Sequence, residues 1–248
     1  MPKVAVIIPC HNESRRLNTE RITAFLLHHP DVKIIFVNDG STDNTGELLE
    51  NIRRLAPASV DIFNSPVRKG KAEAVRLGLL KGLSDMNITY LGFLDADLAV
   101  SPEEFYRLFK IISSTINKFI FGSRIKKLGS VINRNEWRHI FGRFIATLVV
   151  LITRVDVYDT QCSAKIFRAE IVPVFVKEPF RTQWLFDVEI ICRMRKELGE
   201  LSLLGYEEPL KEWTDIEGSK LKWFNIFKII KEIVIIYKYY RNNKRQIS

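Results

Sequence analysis

Long uncharged apolar runs are missing from this chain of 248 residues. None reaches the roughly 18 residues that argue for a membrane-spanning helix. Cysteine is scarce: Cys10, Cys162 and Cys192 lie far apart, without metal-ligand spacing. An odd number of cysteines and no secretory signal point to free thiols in a reducing compartment. Because an apolar strand begins almost at the N-terminus, no signal peptide is expected. No G-x-G-x-x-G follows the first strand and no G-x-x-x-x-G-K-[ST] occurs, which disfavours dinucleotide-binding and P-loop folds. Internal repeats and low-complexity linkers are also absent. Acids are in deficit, with 29 Asp+Glu against 38 Lys+Arg and a formal charge of +9. That balance suits an anionic partner: phosphate, nucleic acid or an acidic membrane surface. Hydrophobic content of 46% and charged content of 27% exclude a disordered chain.

What is present alternates. Apolar, β-branched runs over 3–9, 32–37 and 60–64 read as buried strands, and a fourth runs from Tyr90 into Asp95. Helical patterns over 16–29, about 43–55 and 72–83 separate them, with Asp43 or Ser41 as candidate caps for the second. Ser101-Pro102-Glu103-Glu104 starts a further helix. Strands alternating with helices predict a parallel α/β sheet. Right-handed crossovers then bring the loops after each strand to one rim.

Asp95-Ala96-Asp97 stands on that rim. Two carboxylates at i, i+2 leaving a buried strand suit Mg²⁺ or Mn²⁺, which favour hard oxygen ligands. Alone, the triplet is a weak signal and also reads as a solvated turn before a helix. Glu13, Asp39 and Lys71 should converge on the same crevice. Acids for a metal, a lysine for phosphates and an acid for base or ribose describe a nucleotide-diphosphate pocket.

Beyond residue 118 the alternation breaks down. A strand over 119–123 delivers Arg124; an apolar helix spans 135–153, with Trp137, Arg138 and Arg143 near its start. Residues 158–167 read as strand and turn, 183–196 as a helix carrying Asp187 and Glu189, 201–207 as a last strand and 211–221 as a loop. Cys162 and Cys192 read as small core residues, and His28, His29 and His139 as surface or packing residues.

In combination and order, the motifs resemble a known family. Pro9-x-His11-Asn12-Glu13, Val37-Asn38-Asp39-Gly40-Ser41-x-Asp43, Gly70-Lys71 and Asp95-Ala96-Asp97 look like the inverting glycosyltransferases of family 2, with the GT-A fold. Gly122-Ser123-Arg124, Asp159-Thr160-Gln161-Cys162, Phe186-Asp187-Val188-Glu189 and the segment from Trp213 to Leu221 are similar to dolichyl-phosphate glucosyltransferases; the mannose synthases are close cousins. The resemblance covers nearly the whole chain. It implies a Rossmann-like, mostly parallel sheet flanked by helices, with a C-terminal amphipathic helix. It further implies that Pro9, His11, Glu13 and Asp39 hold the base and ribose, with Val37, Lys71, Ala96 and Gln161 of the same motifs at the nucleotide-sugar. Asp95 and Asp97 would bind ribose and metal, Arg124 and Arg138 phosphates, and Asp187 would lie near the sugar. Ser219 and Lys220 belong to a loop that closes over the site in relatives.

The chain departs from the family pattern at Asn38, Ala72, Glu73, Ser163 and Ala99. Ala99, where the mannose synthases carry glutamine, agrees better with the glucosyl branch. The implied reaction moves glucose from UDP-glucose to dolichyl or another polyprenyl phosphate, inverting C1 and supplying a donor for glycan assembly. The acceptor is already largely ionised at neutral pH, so a strong general base is unnecessary. Two alternatives stay open: mannose transfer from GDP-mannose, and transfer to a sugar hydroxyl with Asp187 as general base.

The boundaries expected are a catalytic domain over 1–219 and a basic, amphipathic segment over 220–248. The tail carries Lys220, Lys222, Lys228, Lys231, Lys238, Arg241, Lys244 and Arg245 against one acid, Glu232. Trp223, Ile226, Phe227, Ile230, Ile233, Val234 and Tyr237 supply an apolar helical face. Such a face suits a lipid interface or packing on a protein surface; a polyprenyl acceptor favours the membrane. A peripheral enzyme at the cytoplasmic face is therefore expected, with a homo-oligomer left open. Nucleic-acid binding is disfavoured, because the basic residues concentrate in a lipid-like helix.

Overall fold

In the computed structural model, which describes residues 3–133, 147, 150, 157–214 and 226–241, four βα units come first. They are β1 (Lys3–Cys10), α1 (Thr19–His28), β2 (Val32–Asp39), α2 (Thr45–Leu55), β3 (Val60–Ser65), α3 (Lys71–Leu83), β4 (Ile88–Phe93) and α4 (Pro102–Ser113). There follow β5 (Phe119–Ser123), β6 (Val131–Asn133), β7 (Lys165–Arg168), the single turn α5 (Pro173–Val176), α6 (Phe186–Leu198), β8 (Gly205–Pro209), β9 (Glu212–Thr214) and α7 (Ile226–Arg241).

Seven strands form one sheet in the order β3-β2-β1-β4-β7-β5-β8. All run the same way except β7, which is antiparallel to both β4 and β5. The alternation of β1 explains the layering. Val4, Val6 and Ile8 face one core with Phe25, Leu49 and Phe105 of α1, α2 and α4. Ala5 and Ile7 face the other, with Val75 and Leu79 of α3 and Phe186 and Ile190 of α6. A strand buried on both faces must be apolar throughout, as β1 is from Val4 onward. At α4, Ser101 Oγ accepts the Glu104 N–H at 3.1 Å and Pro102 occupies the first turn. This is the start its sequence announced.

Several boundaries differ from expectation. Helix α1 starts at Thr19, capped by Asn18, rather than at Arg16. Asn44 occupies the cap of α2 without a side-chain bond; Asp43 instead accepts the Thr45 N–H and hydroxyl. Of 158–167 only the end is strand, and the strand expected over 201–207 starts at Gly205, after a 3-10 turn over Leu201–Leu203. Within the loop expected over 211–221, Glu212–Thr214 pairs in parallel with Val131–Asn133. Of the helix over 135–153 only Thr147 and Val150 are described, both helical.

Helix α7 carries a second apolar stripe beside the face expected from its sequence. Ile229 and Ile236 are buried against Leu185, Val188 and Cys192 of the α6 region, with Ile233 and Tyr240 partly covered. Burying each isoleucine contributes roughly 1.5–3 kcal/mol. A second stripe remains outside, with Phe227 82%, Ile230 50% and Val234 45% exposed. Among the described residues no helix is long and apolar enough to cross a membrane.

Candidate active site

The loops after β1 and β2 are stitched together before any ligand is considered. Thr45 Oγ1 accepts the Glu13 N–H at 2.8 Å, Ser41 Oγ the Asn12 N–H at 3.1 Å, and Asn12 Oδ1 the Thr42 N–H at 2.9 Å. Asn12 adopts φ 55°, a conformation that asparagine tolerates better than most residues. His11 Nδ1 lies 2.8 Å from the carbonyl oxygen of Asp39. The Asp39 carboxylate turns the other way, accepting the Lys69 N–H at 2.7 Å and the Gly70 N–H at 2.8 Å. Gly70 itself sits at φ 96°, where a side chain would be strained. One buried acid thus fixes the loop that launches α3 and aims Lys71 into the crevice.

Lys71 Nζ reaches Asp95 Oδ1 at 2.5 Å. Burial works against its charge, but Asp95, Asp187 and Asp97 more than compensate and raise its pKa. Asp97 is raised too, first by burial and then by the neighbouring charge of Asp95. Opposite them Arg16 clasps Glu13 through two hydrogen bonds of 2.8 and 2.6 Å. Its own pKa is raised by that bond and further by the charges of Asp97 and Asp95. The result is a cleft of about 300 Å³ lined by Pro9, His11, Glu13, Asp39, Lys71, Asp95, Ala96 and Asp97, with Arg16 and Arg68. The two arginines carry no motif and were not anticipated. The one signal for Arg16 was its spacing of three from Glu13.

The donor set suits a divalent ion. Asp95 and Asp97 offer hard oxygens whose mutual repulsion such an ion would relieve. Among the described residues no group of three or more His, Cys, Asp or Glu could hold a metal alone. Further oxygens would have to come from a bound diphosphate or water.

The other described candidates fall outside this cleft. Val37 is fully buried beneath α3. Arg124 is committed to Asp159 by two 2.7 Å bonds and lies 5.5 Å from the Trp213 ring. Although burial alone would raise Asp159, Arg124 pulls it down to about 2. Beside this pair, Ser123 Oγ, Thr160 Oγ1 and Gln161 Nε2 are buried without a hydrogen-bond partner among the described residues. Asp187 is buried, its Oδ1 accepting from Lys165 Nζ at 2.6 Å; burial raises its pKa while Lys165 and Lys71 oppose the rise. Glu189 points elsewhere, binding the Arg181 and Thr182 amides and Arg193. Burial pushes Cys162 and Cys192 up to about 12, as inert core thiols should be. Arg138, Ser219 and Lys220 lie outside the described residues.

A mostly parallel α/β sheet with a cationic and acidic cleft at the strands' carboxyl ends defines an enzyme domain of the GT-A type. Residues 5–173 match the model of glycosyl transferase family 2. The chain is 31% identical to the dolichyl-phosphate beta-glucosyltransferase ALG5C of Trichomonas vaginalis, over 95% of this chain and 71% of that one. It is also 31% identical to the dolichyl-phosphate beta-glucosyltransferase of Saccharomyces cerevisiae, over 98% and 78%. In fold it matches glucosyl-3-phosphoglycerate synthase from Mycobacterium tuberculosis, solved with Mn²⁺, UDP-glucose and phosphoglyceric acid. There the TM-score is 0.67 at 14% identity, covering 97% of this chain and 80% of that one. The chain belongs to glycosyl transferase family 2 and is a glycosyltransferase.

Proposed function

We propose that this glycosyltransferase moves glucose from UDP-glucose to dolichyl or another polyprenyl phosphate at a membrane surface. The observation that carries the acceptor is α7, docked through Ile229 and Ile236 while Phe227, Ile230 and Val234 stay exposed beside Lys228, Lys231 and Lys238. An exposed apolar stripe flanked by cations suits a peripheral helix lying on anionic lipid, at the cytoplasmic face. The near full-length likeness to dolichyl-phosphate glucosyltransferases supports the same acceptor, and Ala99 supports the glucosyl branch over GDP-mannose.

The donor would occupy the 300 Å³ cleft. His11, Glu13 and Asp39 would take base and ribose, and Lys71, Arg16 and Arg68 the diphosphate. Asp95 and Asp97 would hold Mg²⁺ or Mn²⁺, whose charge would offset that developing on the departing diphosphate. Release of the Asp95 contact would free Lys71 to hold a phosphate oxygen. Arg124, with Arg138, would orient the acceptor phosphate so that its oxygen attacks C1 in line, inverting the anomeric centre. Ser123, Thr160 and Gln161, whose buried groups lack partners among the described residues, lie near Arg124 in sequence or contact. They would meet sugar or phosphate oxygens only once binding opens this side. Asp187 suits sugar binding better than proton abstraction, because Lys165 already holds its Oδ1. The phosphate acceptor brings its own negative charge.

Purified enzyme, Mn²⁺ and polyprenyl phosphate incubated with each labelled donor test the reading. Organic-phase label from UDP-glucose is the expected result. Label from GDP-mannose alone would reject the glucosyl assignment, and label appearing only on a free sugar would reject the lipid.

A further inference from the structure

We propose that Glu232 of α7 is a positioning residue that sets the start of α6, and with it Asp187, relative to the donor loop. Its carboxylate accepts three backbone N–H groups: Gln183 at 3.0 Å, Trp184 at 3.0 Å and Leu185 at 2.8 Å. Leu185 is the N-cap of α6, and no side-chain cap bond is made there by the cap residue itself. Of the three, only the Leu185 amide belongs to the helix end, where N–H groups need acceptors and an anion is stabilised by the helix dipole. Here the anion comes from another helix, α7, in whose sequence it is the one acid beside Lys228, Lys231, Lys238 and Arg241.

Two contacts carry its position into the site. Asp187 lies in the first turn of α6, just after the clamped amides. On the other side, the Gln183 side chain packs on Gly70, where an added Cβ would lie 2.3 Å from Gln183 Oε1. Gly70 is the residue whose N–H is bound by Asp39 and which precedes Lys71. Displacement of 183–185 would therefore move Asp187 relative to the Gly70–Lys71 loop, which Asp39 holds in place independently. Arg181 strengthens the attachment, stacking 3.7 Å from the Tyr239 ring and donating to its hydroxyl. Since Phe227, Ile230 and Val234 project from the same helix, whatever seats that stripe also seats Glu232. The membrane-facing element and the transfer geometry share one carboxylate.

The inference rests on the polyprenyl-phosphate reading only for the acceptor used in its test. Glu232→Gln, Glu232→Ala and Glu232→Asp are compared with the wild type in three measurements: UDP affinity by calorimetry, transfer from UDP-glucose to polyprenyl phosphate on vesicles, and thermal melting. Loss of the clamp is expected to lower kcat about 10- to 100-fold, as a misplacement of about 1 Å can, with UDP affinity held within about threefold. Glu232→Asp should recover part of the loss. Unchanged kcat in Glu232→Ala overturns the proposal. So does a fall in UDP affinity and melting temperature that tracks the fall in kcat across the three variants, since that marks a structural role alone. If the wild type transfers nothing to polyprenyl phosphate, the acceptor assignment has failed; the same comparison is then read from hydrolysis of the donor.

Discussion

Replacing Lys165 with methionine strands a buried carboxylate. Lys165 is fully buried on β7, and its Nζ donates to Asp187 Oδ1 at 2.6 Å, to the Thr160 carbonyl at 3.0 Å and to the Cys162 carbonyl. The rings of Phe93 and Phe121 lie 5.6 and 5.7 Å from the ammonium, so water does not readily take its place. Breaking a buried pair by removing one partner costs about 3–5 kcal/mol. At about 2–4 °C per kcal/mol for a chain of this size, Lys165→Met should melt about 6–20 °C below the wild type near neutral pH. The pH dependence has a definite sign. Burial already raises the Asp187 pKa, and Lys165 is among the groups opposing that rise, so the substitution raises it further. A carboxyl raised on folding adds stability at pH below its unfolded value and loses it as pH rises through the folded value. The deficit of Lys165→Met should therefore shrink as the pH falls from about 8 towards the unfolded carboxyl value of about 4, because Asp187 can then fold as the neutral acid. Lys165→Met combined with Asp187→Leu should recover most of the lost stability, because neither charge remains to be buried. Calorimetric melting of wild type, single and double variants across that range is the assay. A deficit independent of pH, or a double variant no more stable than Lys165→Met, would refute the argument.

Gly40→Ala should cost about 1–3 kcal/mol and weaken UDP binding, read by denaturation and calorimetry. The residue has φ 63°, and an added Cβ would lie 2.6 Å from the Arg68 amide nitrogen at the edge of the cleft. Asp97→Asn should reduce turnover about 100-fold, and Mn²⁺ added after chelation should restore the wild type but not the variant. Asp159→Asn removes the partner of Arg124. The depressed Asp159 value, about 2 against 3.8, is worth about 2 kcal/mol, present above the unfolded value and lost as pH falls through the folded one. Stability curves of wild type and Asp159→Asn should thus converge between about pH 4 and pH 2; curves that stay parallel would count against the ion pair.

The first four βα units were legible because each strand is a short apolar run followed by turn residues. Glu13, Asp39, Lys71, Asp95 and Asp97 could be grouped for the same reason: parallel strands release their loops at one rim. Arg16 and Arg68 were missed because an arginine in a polar loop has no pattern of its own. The Lys165–Asp187 pair was invisible for a different reason. It joins residues on β7 and α6, and β7 enters the sheet against the prevailing direction, which composition does not announce. In α7 the periodicity was seen but its use was not. A helix with isoleucine at 229, 230, 233 and 236 can bury one stripe and expose another, and only the packing on Leu185 and Val188 decides which. Glu232 looked like a lone acid among lysines; its role depends on three amides nearly fifty positions away.

The reversed strand has an implication for synthesis on the ribosome. Strands β1 to β4 form one contiguous half of the sheet, so the part of the rim that carries the cleft can assemble as soon as they have emerged. β5 must wait, since β7 lies between it and β4 and arrives only after residues 124–164 have been made. Until then the inner edge of β4 is an open template with its amides and carbonyls unpaired. A nascent chain stalled before residue 165 would carry the cleft loops beside a sticky seam, and chaperone demand should peak in that interval.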